Sequence, residues 1–235
     1  MTINTKTLAA IDIGTNAIRL FISNVEEYPT ETLFKKIAFL RVPIRLGEDV
    51  FTTGEIGQQK RKRLCETMQG FSYIMSAFNV ESYKAYATCA MREARNGKSV
   101  AEQIQKECDL NIEIISGTKE AETIFAGGMN EVVDDDKTYL YVDVGGGSTE
   151  VIVYSKSVKV EACSFPLGTV RMLNDAVDKE EMKHFKKWLK NITEKYTPDA
   201  IIGSGGNINK IHKLLNKKER ERITYQELDI LYEYM

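Results

Sequence analysis

Asp12 and Asp143 each close an apolar run and stand just ahead of a glycine-rich turn bearing hydroxyl residues. The two segments read Ile11-Asp12-Ile13-Gly14-Thr15-Asn16 and Val142-Asp143-Val144-Gly145-Gly146-Gly147-Ser148-Thr149-Glu150. A third turn, Ile201-Ile202-Gly203-Ser204-Gly205-Gly206-Asn207, is glycine-rich without the aspartate. Glycine admits φ > 0 and lets backbone N–H groups approach a ligand unobstructed. Successive N–H groups in such a bend form a concave nest for an anion, most often phosphate. An aspartate at the strand end is placed to hold a divalent cation over that phosphate, and Mg²⁺ suits a site of few carboxylates plus substrate phosphates. Two matched turns and a third nest point to a cleft that grips a phosphate chain from both sides. The candidate phosphate donors are Gly14, Thr15, Asn16, Gly145, Gly146, Gly147, Ser148, Thr149, Gly205, Gly206 and Asn207. Asp12 and Asp143 are the candidate Mg²⁺ ligands, with Glu150 as a helper; the competing role for each aspartate is a local turn cap.

Other residues add to this chemistry. Arg92 is the best phosphate clamp, because a guanidinium meets two phosphate oxygens with fixed geometry. Arg19 is either a second clamp or a surface residue, and Arg171 either a phosphate ligand or half of a structural ion pair. Glu120 follows Ser116-Gly117 at an expected strand-to-helix junction, where its carboxylate either faces a cleft or caps the helix. Ser148 has no histidine in its sequence context to activate it as a nucleophile. Gly-x-x-x-x-Gly-Lys-Ser/Thr is absent, and Gly-x-Gly-x-x-Gly fails after Gly203 and Gly205 because Ile208 takes the last position. His184 and His212 are the only histidines, which argues against a histidine-rich zinc site.

These residues must be positioned by alternating strands and helices. Residues 7–25 are expected to form a hairpin turning at Gly14-Thr15-Asn16, with a third strand over 32–46. Leu64, Met68, Phe71, Met75 and Phe78 recur in steps of four and three, the stripe of a core-facing helix. A strand over 83–88, a loop carrying Arg92, a helix to Cys108, a strand over 111–116 and a helix over 119–132 follow. The polar Asp134-Asp135-Asp136 break sets a boundary between lobes 1–134 and 135–235. The second half repeats the first in outline: strands over 138–143, 150–154 and 157–163, a helix with Met182, Phe185, Trp188, Leu189 and Ile192 on one face, a strand over 199–203, and a helix opening at Gly205-Gly206-Asn207. Thr224-x-x-Glu227 is a capping box for a last helix.

Composition sets limits. With 235 residues, 43 % hydrophobic and 28 % charged, two compact lobes of a soluble protein are expected. A formal net charge of −2 supplies no bulk field for nucleic acid, so an anionic substrate must be held locally. Leu8-Ala9-Ala10-Ile11 is cut short by Asp12 and Gly14, far below the roughly 20 apolar residues of a membrane span. Cys65, Cys89, Cys108 and Cys163 show no Cys-x-x-Cys spacing and read as reduced thiols of a cytoplasmic protein. The last helix carries Leu228, Ile230, Leu231, Tyr232 and Tyr234, more apolar surface than a solvated helix exposes, and a homodimer is expected.

The chain resembles the exopolyphosphatase/guanosine pentaphosphate phosphatase family. The matching stretches are 10–20 around Asp12, Ala87-Thr88-Cys89-Ala90-Met91-Arg92-Glu93-Ala94-Arg95-Asn96, Ile115-Ser116-Gly117-Thr118-Lys119-Glu120-Ala121, Asp143 to Glu150, Leu167-Gly168-Thr169-Val170-Arg171 and Gly203 to Asn207. The resemblance implies an α/β fold of two ribonuclease-H-like lobes, as in actin-like and sugar-kinase-like ATPases, with mixed sheets flanked by helices and the active site between them. It implies Glu120 as the catalytic group that orients or deprotonates water, Arg92 as the cleft arginine, and polyphosphate or a guanosine polyphosphate nucleotide as substrate. Lys119 departs from the family, which commonly has a second acidic residue there. The helical C-terminal domain is expected to be missing and the second lobe to be incomplete at its end. The expected activity is release of a terminal phosphate with Mg²⁺; the alternatives are a phosphotransferase of the same fold and a non-catalytic nucleotide-binding regulator.

Overall fold

The computed structural model describes residues 4–126, 136–156, 158–218 and 221–234. The expected boundary at 134 falls outside them. Two mixed sheets, each flanked by helices, form the α/β architecture.

The first sheet has the order β3-β2-β1-β4-β5. Strands β1 (Asn4–Ile13), β2 (Ile18–Glu27) and β3 (Thr32–Val42) form an antiparallel meander, and β4 (Ser82–Ala87) runs parallel to β1. Alternation decides the faces of β2: Ile18, Leu20 and Ile22 are fully buried, while Arg19 and Phe21 between them are not. Over the buried face lie α2 (Gln58–Ala77) and α4 (Gly97–Cys108). Leu64, Met68, Phe71 and Met75 of α2 pack with Val100, Ile104 and Cys108 of α4, each large apolar side chain contributing about 1.5–3 kcal/mol by leaving water. Phe78 leaves this stripe; it caps the end of α2 and is 42 % exposed.

Three local expectations are corrected. β3 stops at Val42, and the chain enters α1 (Leu46–Thr53) through Arg45, which has φ 60°. The cause is the first nest: the carbonyls of Asn16 and Thr15 accept the N–H groups of Arg45 and Gly47 at 2.9 Å and reverse the chain. Arg92 sits on a short helix, α3 (Cys89–Glu93), not in a loop. The strand expected over 111–116 shrinks to β5 (Glu113–Ile114), since the N–H of Asn111 donates to the Tyr83 hydroxyl instead of to the β4 backbone.

The second sheet, order β8-β7-β6-β9, repeats the plan with β6 (Thr138–Val144), β7 (Thr149–Ser155), β8 (Val158–Phe165) and β9 (Ala200–Ser204). Again three strands form a meander and the fourth lies parallel to the first. β7 is buried along nearly its whole length because both faces are covered. On one face α5 (Gly117–Ala126) sets Ala121 against Tyr139, Tyr141, Ile152 and Tyr154. On the other, α7 (Lys179–Tyr196) brings Met182, Phe185, Trp188, Leu189 and Ile192 onto Leu140, Val151, Val153 and Phe165, as its periodicity predicts. Thus α5, although it follows β5 in the chain, packs on the second sheet. The remaining helices are α6 (Thr169–Leu173), α8 (Gly206–Leu214) and α9 (Tyr225–Tyr234). α9 starts at the expected capping box: the N–H of Glu227 donates to Thr224 Oγ1, and that of Thr224 to Glu227 Oε2. Among the described residues no helix is long and apolar enough to cross a membrane.

Candidate active site

The first two nests are the same turn built twice. The N–H of Gly14 reaches the carbonyl of Ala17 at 3.2 Å, and that of Gly145 the carbonyl of Ser148 at 2.9 Å. In the second nest the carbonyls are turned away from the cleft. Gly145 accepts from the N–H of Thr169, Gly146 from those of Val170 and Arg171, and Gly147 from Arg171 Nε. The N–H groups of Gly146, Gly147 and Ser148 meet no acceptor among the described residues, leaving a set of donors for an anion. The nests also touch. A Cβ on Gly147 would lie 2.5 Å from Cys89 Sγ and 2.9 Å from Thr15 Oγ1, so no larger residue fits where the lobes meet.

Two of the candidate donor side chains already bond within the site. Thr149 Oγ1 donates to the Leu167 carbonyl at 2.6 Å and Asn207 Nδ2 to the Val144 carbonyl at 3.2 Å, so both tie the site together. The third nest joins the second through Gly205, whose φ is 94° and whose missing Cβ leaves room for Asp143 Oδ1. From Gly206 the nine-residue α8 starts, its N-terminus at the site.

Register places the charged groups in two equivalent rows. Across the first sheet run Tyr86, Asp12, Arg19 and Arg41; across the second, Ser204, Asp143, Glu150 and Ser164. Asp12 forms an ion pair with Arg19. Opposite Asp143 stands not a cation but another acidic residue, Glu150. Burial pushes the Asp143 carboxyl above its ordinary range, against the pull of a hydrogen bond from Ser204. Glu150, 1 % exposed, is pushed up by burial too, although Ser148 and the Ser164 hydroxyl, at 2.9 Å, hydrogen-bond to it.

Glu120 stands where these rows face Arg92. The first turn of α5 carries it, after the N–H of Lys119 is capped by Ser116 Oγ. Its Oε2 is buried without a hydrogen-bond partner, and the nearest cation, Arg92 Nη1, is 3.5 Å away: an ion pair, too long for a hydrogen bond. Arg92 Nη1 itself donates to the Ile115 carbonyl at 2.8 Å, which fixes the guanidinium beside the start of α5. Burial, with Glu150 nearby, pushes Glu120 to about 8 despite Arg92. A carboxylate poised near neutrality, with a free lone pair and a neighbouring arginine, is fit to accept a proton from water.

The same groups bear on a cation. Among the described residues no three His, Cys, Asp or Glu side chains gather into a ready cage. Yet Asp12 raises the carboxyls of both Asp143 and Glu120, and Asp143 that of Glu150, so the carboxylates sense one another through space. Hard oxygen donors in mutual repulsion fit Mg²⁺, which keeps several waters and contacts only one or two carboxylates.

For Arg171 the sequence allows two roles, and its contacts decide between them. It is buried, lies over the Phe51 ring at 4.1 Å, and donates from Nη2 to Glu93 of α3. It is an interlobe ion pair, not a phosphate ligand. Glu93, Phe51, Ser164, Ser204 and Arg41 escaped notice because their roles depend on strand register and lobe contact rather than on any local motif.

Comparison with known proteins bears on the family and the fold. A sequence model of the Ppx/GppA phosphatase family matches residues 22–235. A bifunctional 3-dehydroquinate synthase/phosphatase of Fusobacterium nucleatum is 32 % identical over 168 residues, covering 70 % of this chain and 25 % of that protein. Exopolyphosphatase 2 of Mycobacterium tuberculosis is 28 % identical over 170 residues, covering 70 % of this chain and 53 % of its own length. The chain thus spans about a quarter to a half of these relatives. The crystal structure of an exopolyphosphatase from Cytophaga hutchinsonii superposes with a TM-score of 0.79 at 25 % identity, over 94 % of this chain and 74 % of that one.

Proposed function

Because the chain belongs to the Ppx/GppA phosphatase family, we propose that it is a phosphohydrolase that removes the terminal phosphate from a phosphoanhydride chain, either inorganic polyphosphate or guanosine pentaphosphate. The observation that carries this reading is the buried Glu120 Oε2, without a hydrogen-bond partner beside Arg92 and within electrostatic reach of Glu150 and Asp12 at the two glycine turns. The nests hold the terminal phosphates through backbone N–H groups, and Arg92 neutralises their oxygens. Glu120 accepts a proton from a water molecule as that water's oxygen bonds to the terminal phosphorus. The bond from that phosphorus to the bridging oxygen breaks, and the shortened chain leaves with the bridging electrons. Asp12 and Asp143, with Glu150 nearby, are the residues that would hold Mg²⁺, which would supply charge neutralisation for the phosphate oxygens when bound. Water as acceptor requires no second substrate, in contrast to a kinase of this fold.

A second copy of the chain is part of the same proposal. Ile230, Tyr232 and Tyr234 of α9 are strongly exposed beside an apolar hollow of about 310 Å³ lined by Ile211, Tyr225, Leu228 and Leu231. Thiols in a reducing compartment fit the four free cysteines, and a cytoplasmic location is proposed on that ground.

The test is phosphate release by the purified chain with Mg²⁺ and no added acceptor, on inorganic polyphosphate and on guanosine pentaphosphate. Release from either substrate supports the reading. Phosphate that appears only on a sugar or carboxylate acceptor would overturn it.

A further inference from the structure

The outer ends of the two rows differ, and the difference carries an inference that rests on the phosphohydrolase reading. In the second sheet the outer member, Ser164, is engaged with Glu150. In the first sheet the outer member is Arg41, directly opposite Arg19. Residues so paired on antiparallel strands stand on one face with Cβ atoms about 4.5–5.5 Å apart, where like charges repel. The pairing is regular at this point, because the irregularity between β2 and β3 lies further on, between Ile22 and Ser23. Arg19 has Asp12 as its counterion. Arg41 is exposed and makes no ion pair or hydrogen bond among the described residues. Sheet stability gives no reason for this arrangement. An anion between the two guanidinium groups does, since it removes their repulsion and offers each a bidentate partner.

Two strand spacings separate Arg41 from Asp12, about 10 Å in all. That is too far to touch a terminal phosphate held at the nests, but it lies on the same face. We propose that Arg19 and Arg41 form a two-arginine clamp for the phosphates that follow the terminal one, which makes Arg41 a residue that sets chain-length preference. The clamp requires a substrate with several consecutive phosphates; a short phosphate chain ends before it reaches β3.

The experiment is calorimetric binding of tripolyphosphate, and of an inorganic polyphosphate several times longer, to the full chain and its Arg41 variants. Arg41→Gln weakens the longer chain about tenfold, as expected for one charge-assisted contact, and shifts tripolyphosphate by less than about twofold. Arg41→Lys recovers part of the loss, keeping the charge without the planar fork. The difference between the two chains narrows at high salt. Equal losses for both lengths, or no loss, overturn the clamp and leave the phosphohydrolase reading intact. If the parent chain binds neither ligand and releases no phosphate, that reading fails and the clamp falls with it.

Discussion

Arg171 on α6 of the second lobe donates to both carboxylate oxygens of Glu93 at 2.7 Å, and Glu93 is the residue next to Arg92 on α3 of the first. Since Arg171 Nε also holds the carbonyl of Gly147, one side chain ties the second nest to the helix that carries the candidate clamp. The contact between the lobes and the placing of Arg92 therefore share one side chain.

Arg171→Ala should destabilise the protein by about 2 kcal/mol, less than a fully buried pair because Glu93 is partly exposed. Urea unfolding of the single and double variants with Glu93→Gln measures the coupling. Additive losses would show that the two residues do not act as a pair.

Glu120→Gln keeps the shape of the side chain but removes its basicity. Turnover should fall about 10²–10⁴-fold while substrate affinity holds or rises slightly. Arg92→Ala should weaken both binding and turnover, because the guanidinium meets phosphate before and during reaction. Steady-state kinetics with separate binding measurements distinguishes the two patterns. A Glu120→Gln enzyme within a few-fold of the parent would sink the assignment.

The raised pKa of Glu120 has a sign that can be checked twice. The folded protein holds a proton that the unfolded chain releases near the ordinary value of 4.5, so this stabilisation is complete below 4.5 and is lost as pH rises to about 8. Glu120→Gln should therefore melt above the parent at pH beyond 8, by about 2–4 °C for each kcal/mol recovered, with the gap closing in acid. In the free enzyme kcat/KM should rise with pH and level off above about 8, as the carboxylate forms. A flat profile on both measurements would show that Glu120 is ionised throughout.

Association through α9 predicts that Ile230→Glu shifts the sedimentation of the chain towards the monomer without lowering its melting temperature. A parent chain that sediments as a stable monomer at micromolar concentration would remove this surface from consideration.

Much of the scaffold was legible in the sequence. The hairpin turns, the α2 and α7 stripes and the Thr224–Glu227 box were all read from period and composition, because each is decided by residues close in the chain. Contacts between residues distant in the chain decide what local pattern does not show. The apolar pattern predicts a strand to residue 46, but β3 ends at Val42 because the carbonyls of Thr15 and Asn16, distant in the sequence, capture the chain at Arg45 and Gly47. The site shows the same divide. Glu120, Arg92 and the glycines sit in recognisable local motifs, whereas Arg41 and Ser164 gain their meaning only from the strand opposite. Arg171 was undecidable for the same reason, its partner lying in the other lobe.

The opposed rows also give the cleft a polarity. Beside the aspartate at the strand end, the first sheet sets Arg19 and the second sets Glu150, so positive side-chain charge stands on one wall only and the other offers an anion just the backbone donors of its nest. Under the proposed function, a phosphate chain lies along the arginine wall and halts with its tip against the carboxylate wall. On that reading the second nest takes the last phosphate, and the acidic groups behind it, buried Glu150 and partly buried Asp143, disfavour any phosphate beyond.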